Sequence, residues 1–276
     1  MDDYIKLRTG LSLPQLGFST FGADDQMAEP LVLQALKLGY RYVATAQTNG
    51  NLVGVGRGLF LSGLPREEIV VSSIIHPRSH HYDQIIRSFN QLMNQLGLET
   101  LDVLLLPRRS PVTLAQSFDH YYYTQAWKAF EDLYRRGRVG AIGVVDFSLP
   151  ELEALMANAV IAPHVLHTRI HVGYIPEQVL SFCQGQQIGL VADAPIAHGL
   201  LLENPFLEAI AAHYEVSTVQ LCLRYLVQKG IVALPRTSNP CHLFTNKTLQ
   251  FDISHSDMAL LEEFNLFIEK DNRLQL

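Results

Sequence analysis

The chain has 276 residues, of which 48 % are hydrophobic and 17 % are charged, so it holds enough apolar material for a large core. Its formal net charge of −6 argues against nucleic acid or an anionic membrane surface as the main partner. No apolar run reaches the roughly 18 residues that a membrane-spanning helix needs, and the first residues lack the apolar segment of a signal peptide.

The predicted strands are eight short apolar runs, each followed by a segment of other character. They occupy residues 15–18, 40–44, 69–73, 101–106, 141–145, 165–169, 189–192 and 231–235. Continuous apolar runs, rather than alternating ones, are typical of parallel strands that helices cover. The clearest amphipathic helices are predicted at residues 82–96, 125–136 and 218–228, with Ser217 as the N-cap of the last.

Eight strand–helix units predict a closed barrel. Eight parallel strands are the number that closes a sheet of this kind, so we expect a (β/α)₈ barrel that forms a single domain over residues 1–276. A β-hairpin is predicted before the first strand, with residues 4–7 and 12–13 on either side of Thr9-Gly10. Long loops at residues 108–124 and 198–205 follow the fourth and seventh strands. Such loops form the C-terminal mouth, where barrel enzymes carry their sites.

Short motifs in the order and at the spacing of one family extend over nearly the whole chain. They are LPQLGF at 13–18, GYRY at 39–42 with TA at 45–46, VG at 55–56, LETLD at 98–102, GRVGAIGV at 137–144 with FS at 147–148, Ala192 with Pro195, and Leu234-Pro235 with Asn246. Together they resemble the aldo-keto reductases. The resemblance implies an α/β TIM barrel with an N-terminal β-hairpin. It also implies NADP(H)-dependent carbonyl reduction by a Tyr, Lys, Asp and His tetrad at the mouth.

The resemblance places that tetrad on residues of other types. The Asp position falls on Ala44, the Tyr position on Asn49, the Lys position on Ile74 and the His position on Pro107. No lysine occurs between Lys37 and Lys128, so a shifted alignment does not restore one. None of the four side chains titrates as a proton donor. We therefore expect that the protein is not a reductase by the family's mechanism.

The cofactor positions that the resemblance implies are changed at the nicotinamide end. A Ser-Asn pair falls on Val145-Asp146, an amide-binding Gln on His167 and a stacking Tyr on Asp193. The adenosine end keeps polar character at Arg236, Thr237 and Asn246. Because a guanidinium binds phosphate well, Arg236 could still hold one. We expect no bound cofactor and leave residual NADP binding at this end open.

The departures from the family's pattern gather at the C-terminal ends of the predicted strands. They are Ser19, Ala44, Asn49, Ile74, His76, Pro107, Val145, His167 and Asp193. The strand ends of a closed barrel surround one cavity, so we expect these residues to line an apolar pocket at the barrel mouth. The pattern favours a mouth that was emptied and rebuilt by design, and leaves natural decay as the alternative.

His167 and Asp193 are the titratable residues expected to face this pocket from neighbouring strands. An Asp that accepts from one imidazole nitrogen leaves the other as a general base, which predicts proton abstraction from a small apolar molecule. Ester hydrolysis is an alternative if Ser19 or Ser73 reaches the imidazole. The residues also leave open an inactive pseudoenzyme or small-molecule binder, and a reductase with an unrecognised donor. A purely structural role for both residues stays open as well.

The cysteines and histidines indicate neither disulfides nor a metal site. Cys183, Cys222 and Cys241 are widely spaced, which fits no disulfide framework or zinc motif and favours a reducing, cytoplasmic location. Strand alternation separates His164 from His167 and His171, so we expect no metal. We expect a monomer with no nucleic-acid or membrane partner.

Overall fold

The computed structural model is a barrel of eight parallel strands, and it describes residues 4–79, 81–108, 120–237 and 239–264. The barrel strands are β3 (Phe18–Ser19), β4 (Tyr42–Ala46), β5 (Val70–Ile74), β6 (Leu101–Pro107), β7 (Val139–Val145), β8 (Val165–Arg169), β9 (Gly189–Asp193) and β10 (Val232–Leu234). They pair in chain order, and bridges from Leu16 to Ala233 and from Ser19 to Arg236 join the first strand to the last. The predicted (β/α)₈ fold is confirmed.

Helices cover the outside of this barrel. Those described are α1 (Asp25–Lys37), α2 (Leu52–Leu61), α3 (Tyr82–Leu96), α4 (His120–Arg135), α5 (Leu149–Met156), α6 (Glu177–Gly185), α7 (Pro205–His213), α8 (Thr218–Gln228), α9 (Pro240–Lys247) and α10 (His255–Glu263). The helices predicted at 82–96 and 218–228 are confirmed. Within the predicted loop 108–124, residues 109–119 lie outside the described residues, and residues 120–124 belong to α4. None of the described helices is long and apolar enough to cross a membrane.

Local sequence fixes where the helices begin. Ser217 Oγ accepts from the backbone N–H of Gln220 at 3.3 Å, and Gln220 Oε1 accepts from the backbone N–H of Ser217 at 3.1 Å. This reciprocal pair satisfies two backbone donors at the start of α8 and confirms the predicted N-cap. At the start of α1, Asp24 Oδ1 accepts from the backbone N–H of Met27 at 2.9 Å.

An N-terminal hairpin covers the N-terminal end of the barrel, as predicted. Strands β1 (Tyr4–Lys6) and β2 (Ser12–Pro14) pair antiparallel, and the turn between them contains Gly10 at a φ of 90°, which glycine adopts without steric cost. Leu7 and Leu13 beside these strands are buried and pack into the barrel interior.

The barrel has a core on each side of its sheet. The outer core lies between sheet and helices and contains large side chains such as Phe89 and Trp127. The inner core fills the barrel itself. Its members are Leu7, Leu13, Tyr42, Ala44, Val70, Val103, Leu105, Ala141, Val145, Val165, Val191, Val232 and Leu234. The hairpin closes the N-terminal end of the barrel, and the cavity lies at the C-terminal ends of its strands.

The first two barrel strands begin later than the sequence predicts. At Gly17 an added Cβ would lie 2.4 Å from Cδ2 of Leu234, so the first and last strands approach too closely there for a side chain. Tyr40 belongs to the outer core, and its Oη donates to the carbonyl oxygen of Leu243 in α9 at 3.0 Å. The β4 ladder therefore starts at Tyr42.

Candidate active site

A cavity of about 1650 Å³ opens at the C-terminal end of the strands. Side chains of the barrel interior form its floor, among them Ala44, Ser72, Leu105, His167 and Leu234. Loop residues beyond the strands form its wall, among them Phe21, Phe147, Tyr174, Pro195 and Ile196. Charged groups also line it, namely Arg108, Asp146, Arg169, Glu177, Asp193 and Arg236. The expectation of an apolar pocket is therefore wrong, because charged side chains project from the loops that follow the strands.

His167 is a buried imidazole on the floor of this cavity. It lies on β8 and is 2 % exposed, whereas Asp193 at the end of the neighbouring strand β9 is 39 % exposed. His167 Nδ1 lies 3.6 Å from Oδ1 of Asp193. This distance is longer than a direct hydrogen bond, so the two groups are adjacent but do not form one. Nδ1 is thus the ring nitrogen on the side of the partly exposed Asp193.

Tyr42 contacts the other ring nitrogen. Its Oη lies 3.3 Å from Nε2 of His167, and the two residues are 125 positions apart in the chain. Tyr42 is fully buried in the inner core, and burial raises the pKa of its hydroxyl well above the ordinary value, with Ser72 acting in the opposite sense. The phenol is therefore protonated at neutral pH. Tyr42 was not among the predicted site residues, although a residue two positions before Ala44 on a strand shares its inward face.

Asp146 lies at the end of β7 in an unusual backbone conformation. Its φ is 59°, and a left-handed conformation is uncommon for a residue other than glycine. Desolvation raises the pKa of its carboxyl, and the negative charge of Asp193 raises it further. Thr168 Oγ1 donates to Asp146 Oδ1 at 3.4 Å. Two carboxylates thus flank the His167 side of the mouth.

Three arginines also line the mouth. Arg236 follows β10, and its guanidinium Cζ lies 5.3 Å from the ring centroid of Phe21. Gly22 has a φ of 79°, and a Cβ there would lie 3.0 Å from Arg236 Cζ, so the missing side chain makes room for the guanidinium. Arg108 pairs with Glu151 at 2.8 Å, and Arg169 lies over the Tyr174 ring at 5.1 Å.

A buried amide fixes the loop that carries Phe21 and Gly22. Asn51 is fully buried, and its Nδ2 donates to the carbonyl oxygens of Thr20 and Ala23 at 2.9 and 2.8 Å. Its Oδ1 accepts from Thr45 Oγ1 at 3.0 Å. The side chain therefore ties the loop after β3 to the end of β4. The sequence alone gave no indication of this role.

The residues expected to line the pocket divide into two groups. Ser19, Ala44, Asn49 and Ile74 line the cavity together with His167 and Asp193. The described lining does not include His76, Pro107 or Val145. His76 Nδ1 accepts from the backbone N–H of Arg78 at 3.1 Å, which turns the ring towards its own loop. Val145 packs in the inner core, and Leu105 lines the cavity from the strand that ends at Pro107.

The residues expected at the adenosine end also lie apart. Arg236 lines the mouth, whereas Thr237 Oγ1 accepts from the backbone N–H of Asn239 at 3.0 Å just before α9. Asn246 is buried within α9. Of these three, Arg236 is the side chain that faces the cavity.

The other strand-region histidines have partners of their own. His164 Nδ1 accepts from the backbone N–H of Ile142 at 3.1 Å, and burial lowers its pKa to about 4, with Arg8 adding to the effect. His171 Nδ1 lies 2.8 Å from the carbonyl oxygen of Val172. Within the described part of the chain, no group of three or more His, Cys, Asp or Glu side chains is placed to hold a metal ion.

Comparison with known proteins identifies similar chains over almost the full length. The model of the Aldo/keto reductase family matches residues 15–266. Glyoxal reductase of Bacillus subtilis (strain 168) is 31 % identical over 278 residues, covering 99 % of this chain and 95 % of that protein. An aldo/keto reductase structure from Brucella melitensis is 27 % identical with a TM-score of 0.89, covering 95 % and 99 % of the two chains. A Gox0644 mutant structure in complex with NADPH is 26 % identical with a TM-score of 0.89, covering 97 % and 95 %.

These matches overturn the predicted function. Proteins similar over nearly the whole chain are named as reductases, so a general-base catalyst acting through His167 and Asp193 is wrong. The alternative of an inactive pseudoenzyme or small-molecule binder is wrong for the same reason. The prediction rested on the four tetrad positions and the changed nicotinamide positions, whereas a barrel mouth can take its functional groups from any of the eight strand ends. A mouth rebuilt by design stays a prediction.

Proposed function

Because the chain belongs to the aldo-keto reductase family, we propose that the protein is an oxidoreductase that reduces a small carbonyl compound at the barrel mouth, with His167 as the proton donor. One observation carries this proposal. His167 is a buried imidazole on the cavity floor, and its Nδ1 lies on the side of the partly exposed Asp193. Histidine is the side chain whose ordinary charge change lies nearest neutral pH, which suits it to deliver a proton to a carbonyl oxygen.

One part of the mouth would suit a phosphate group of the cofactor that a related protein binds. The Gox0644 mutant structure is a complex with NADPH. In this chain Arg236, held over Phe21 and accommodated by Gly22, provides a guanidinium for a phosphate group. Helix α9 begins at Pro240, four residues after Arg236, and barrels often bind phosphate at a helix N-terminus after the last strands. When bound, NADPH supplies the hydride that reduces the carbonyl carbon, and the products are an alcohol and NADP⁺.

The proton is handled by residues of this chain. In its protonated form His167 carries a hydrogen on Nδ1, which faces the cavity, and Asp193 Oδ1 stabilises the charge from 3.6 Å. A carbonyl oxygen placed beside Nδ1 accepts this hydrogen as negative charge develops on it. Asp193 is partly exposed, so the imidazole regains its proton from solvent through the mouth.

Two observations support a substrate class, namely the residues that line the mouth and the activity named for one relative. The relative with 31 % identity is a glyoxal reductase, and we infer that this chain acts on small aldehydes or dicarbonyl compounds. Aromatic and aliphatic groups such as Phe21, Tyr174 and Ile196 line the wall. They limit the access of water to the reacting carbonyl.

Consumption of NADPH tests the proposal. The parent protein is mixed with NADPH and either glyoxal or members of an aldehyde panel, and NADPH loss is followed against a protein-free control. We expect saturable turnover that falls about 10²- to 10⁴-fold in His167→Gln, the range typical of a lost acid–base group. His213→Gln is the matched control, because His213 is an exposed residue of α7.

Two outcomes would contradict the proposal. A parent that binds NADPH, as measured by a raised melting temperature, but reduces no member of the panel would exclude carbonyl reduction. Equal turnover in the parent and in His167→Gln would exclude His167 as the donor.

A further inference from the structure

The contact between Tyr42 and His167 crosses the barrel. Tyr42 lies on β4 and His167 on β8, four strands apart in an eight-stranded sheet, so their side chains come from opposite walls. They meet at 3.3 Å between Oη and Nε2. The surrounding inner-core side chains are apolar, among them Val103, Val165 and Val191. Ser72 is also fully buried and lies beside the hydroxyl of Tyr42, so the contact belongs to a small polar group within a mostly apolar core.

We propose that Tyr42 is a positioning residue that accepts the Nε2–H of His167 and so keeps Nδ1 directed to the mouth for proton transfer. The role of Nδ1 rests on the proposed function, whereas the Tyr42–His167 arrangement does not. A buried N–H without an acceptor is costly, and the hydroxyl of Tyr42 is the partner that lies within reach of Nε2.

The protonated form of His167 sets the direction of this hydrogen bond, because an imidazolium carries hydrogen on both ring nitrogens and can only donate. Burial raises the pKa of Tyr42, so its hydroxyl stays neutral and its oxygen accepts the Nε2–H. The groups that face the imidazole are Tyr42 from β4, Asp193 from β9 and Asp146 from the end of β7. Arg169 on β8 lies near Asp146. The two carboxylates stand on the mouth side and Tyr42 on the inner side.

The arrangement assigns a separate task to each ring nitrogen. Nε2 keeps its hydrogen on Tyr42 throughout, while Nδ1 loses a proton to the substrate and regains one from solvent. The neutral ring left after each transfer is therefore the tautomer with hydrogen on Nε2. A hydrogen-bond partner that fixes the tautomer of a functional histidine is a general device in proteins.

The tautomer can be measured without cofactor or substrate. Protein with ¹⁵N-labelled histidine is studied by NMR at alkaline pH, and the signal of His167 is assigned from its loss in His167→Gln. We expect the neutral ring to carry its hydrogen on Nε2 in the parent. In Tyr42→Phe, which removes the hydroxyl oxygen alone, we expect a mixture of tautomers.

Tyr40→Phe is the matched control for this variant. Tyr40 is also fully buried, but its Oη donates to the carbonyl oxygen of Leu243 in the outer core. Loss of either hydroxyl removes one buried hydrogen bond, and only Tyr42→Phe changes the partner of His167. We expect the His167 tautomer in Tyr40→Phe to equal that of the parent.

Kinetics provide the second readout. In Tyr42→Phe we expect kcat to fall on the order of 10- to 100-fold, as for other groups that orient a functional histidine, with little change in KM. The charged ring loses an acceptor in this variant, so we expect the pH profile of kcat to differ from that of the parent.

Three results would overturn the inference. They are a parent ring protonated on Nδ1 when neutral, an unchanged tautomer in Tyr42→Phe, and an equal effect of Tyr40→Phe on kcat and on the pH profile. The NMR result stands even if no carbonyl compound is reduced, in which case the proposed function fails and the Tyr42–His167 arrangement is retained.

Discussion

The two ends of the barrel are built from different kinds of contact. At the N-terminal end, the hairpin places Leu7 and Leu13 in the inner core. Arg8 beside them donates to the carbonyl oxygens of Gln186 and Pro163 at 3.0 and 2.7 Å, and to that of Ala162. Apolar burial and satisfied backbone groups thus close this end.

The C-terminal end contains charged groups and unusual backbone conformations. Asp146, Ala194, Ala197 and His198 all have positive φ values, between 49° and 59°. Such conformations cost free energy for residues other than glycine, on the order of 1 kcal/mol each, and they lie next to the cavity that contains His167. Barrels in general separate stability at the N-terminal face from chemistry at the C-terminal face. Substitutions at the two ends should therefore affect stability and activity separately.

Leu13→Ala is expected to have the largest effect on stability. Leu13 is fully buried in the inner core, and truncation of such a leucine costs about 3–5 kcal/mol through lost burial and the cavity left behind. Urea unfolding of the parent and the variant measures the loss. Leu61→Ala, at a side chain that is 54 % exposed, is the control and should change the unfolding free energy by less than about 0.5 kcal/mol.

The kinetics of Leu13→Ala test whether packing at the N-terminal end leaves activity at the C-terminal end unchanged. At a temperature where the variant stays folded, we expect its kcat and KM for the carbonyl substrate to match those of the parent. A large change in kcat would show that packing at the closed end affects the geometry of the mouth.

Asn51→Ala is expected to affect both stability and cofactor binding. Two carbonyl oxygens and one hydroxyl lose their buried partner, at a cost of about 1–3 kcal/mol. The loop with Gly22 is then no longer fixed beneath Arg236, so the Kd for NADPH should rise. Calorimetric titration measures the Kd. Asn158→Ala is the control, since this exposed amide donates to the carbonyl oxygen of Ala154 in the preceding helix α5. An equal loss in both variants would contradict the role of Asn51.

The sequence predicted most of the fold because its signals are local. Apolar runs such as residues 141–145 define strands without reference to the rest of the chain, and the Ser217 cap depends on neighbouring residues. The start of β4 was misplaced because Tyr40 and Tyr42 look alike in sequence. The two residues differ only in the folded protein, where Tyr40 contacts α9 and Tyr42 faces the barrel interior.

The candidate site was less predictable because it depends on contacts between distant strands. Neighbouring strands are consecutive in the chain, so the proximity of His167 and Asp193 could be anticipated from strand order. The Tyr42 contact spans 125 positions and crosses the barrel, and only the closed geometry brings it about. The choice of function was wrong because substituted positions were weighed more heavily than resemblance over the whole chain.

The smallest predicted effect concerns a histidine at the closed end. His164 precedes β8 and has its pKa lowered from 6.5 to about 4, chiefly by burial. The unfolded chain therefore binds a proton at this residue below about pH 6.5, whereas the folded chain binds it only near pH 4, so acidification favours unfolding across that range. We expect the melting temperature of the parent to fall more steeply between pH 6.5 and 4 than that of His164→Gln, because glutamine does not titrate. Since His164 lies three residues from His167 but at the other end of the strand, His164→Gln should keep the parent's kcat at neutral pH. If the melting temperatures of the two proteins fall equally with pH over this range, His164 does not contribute to the acid sensitivity of the fold.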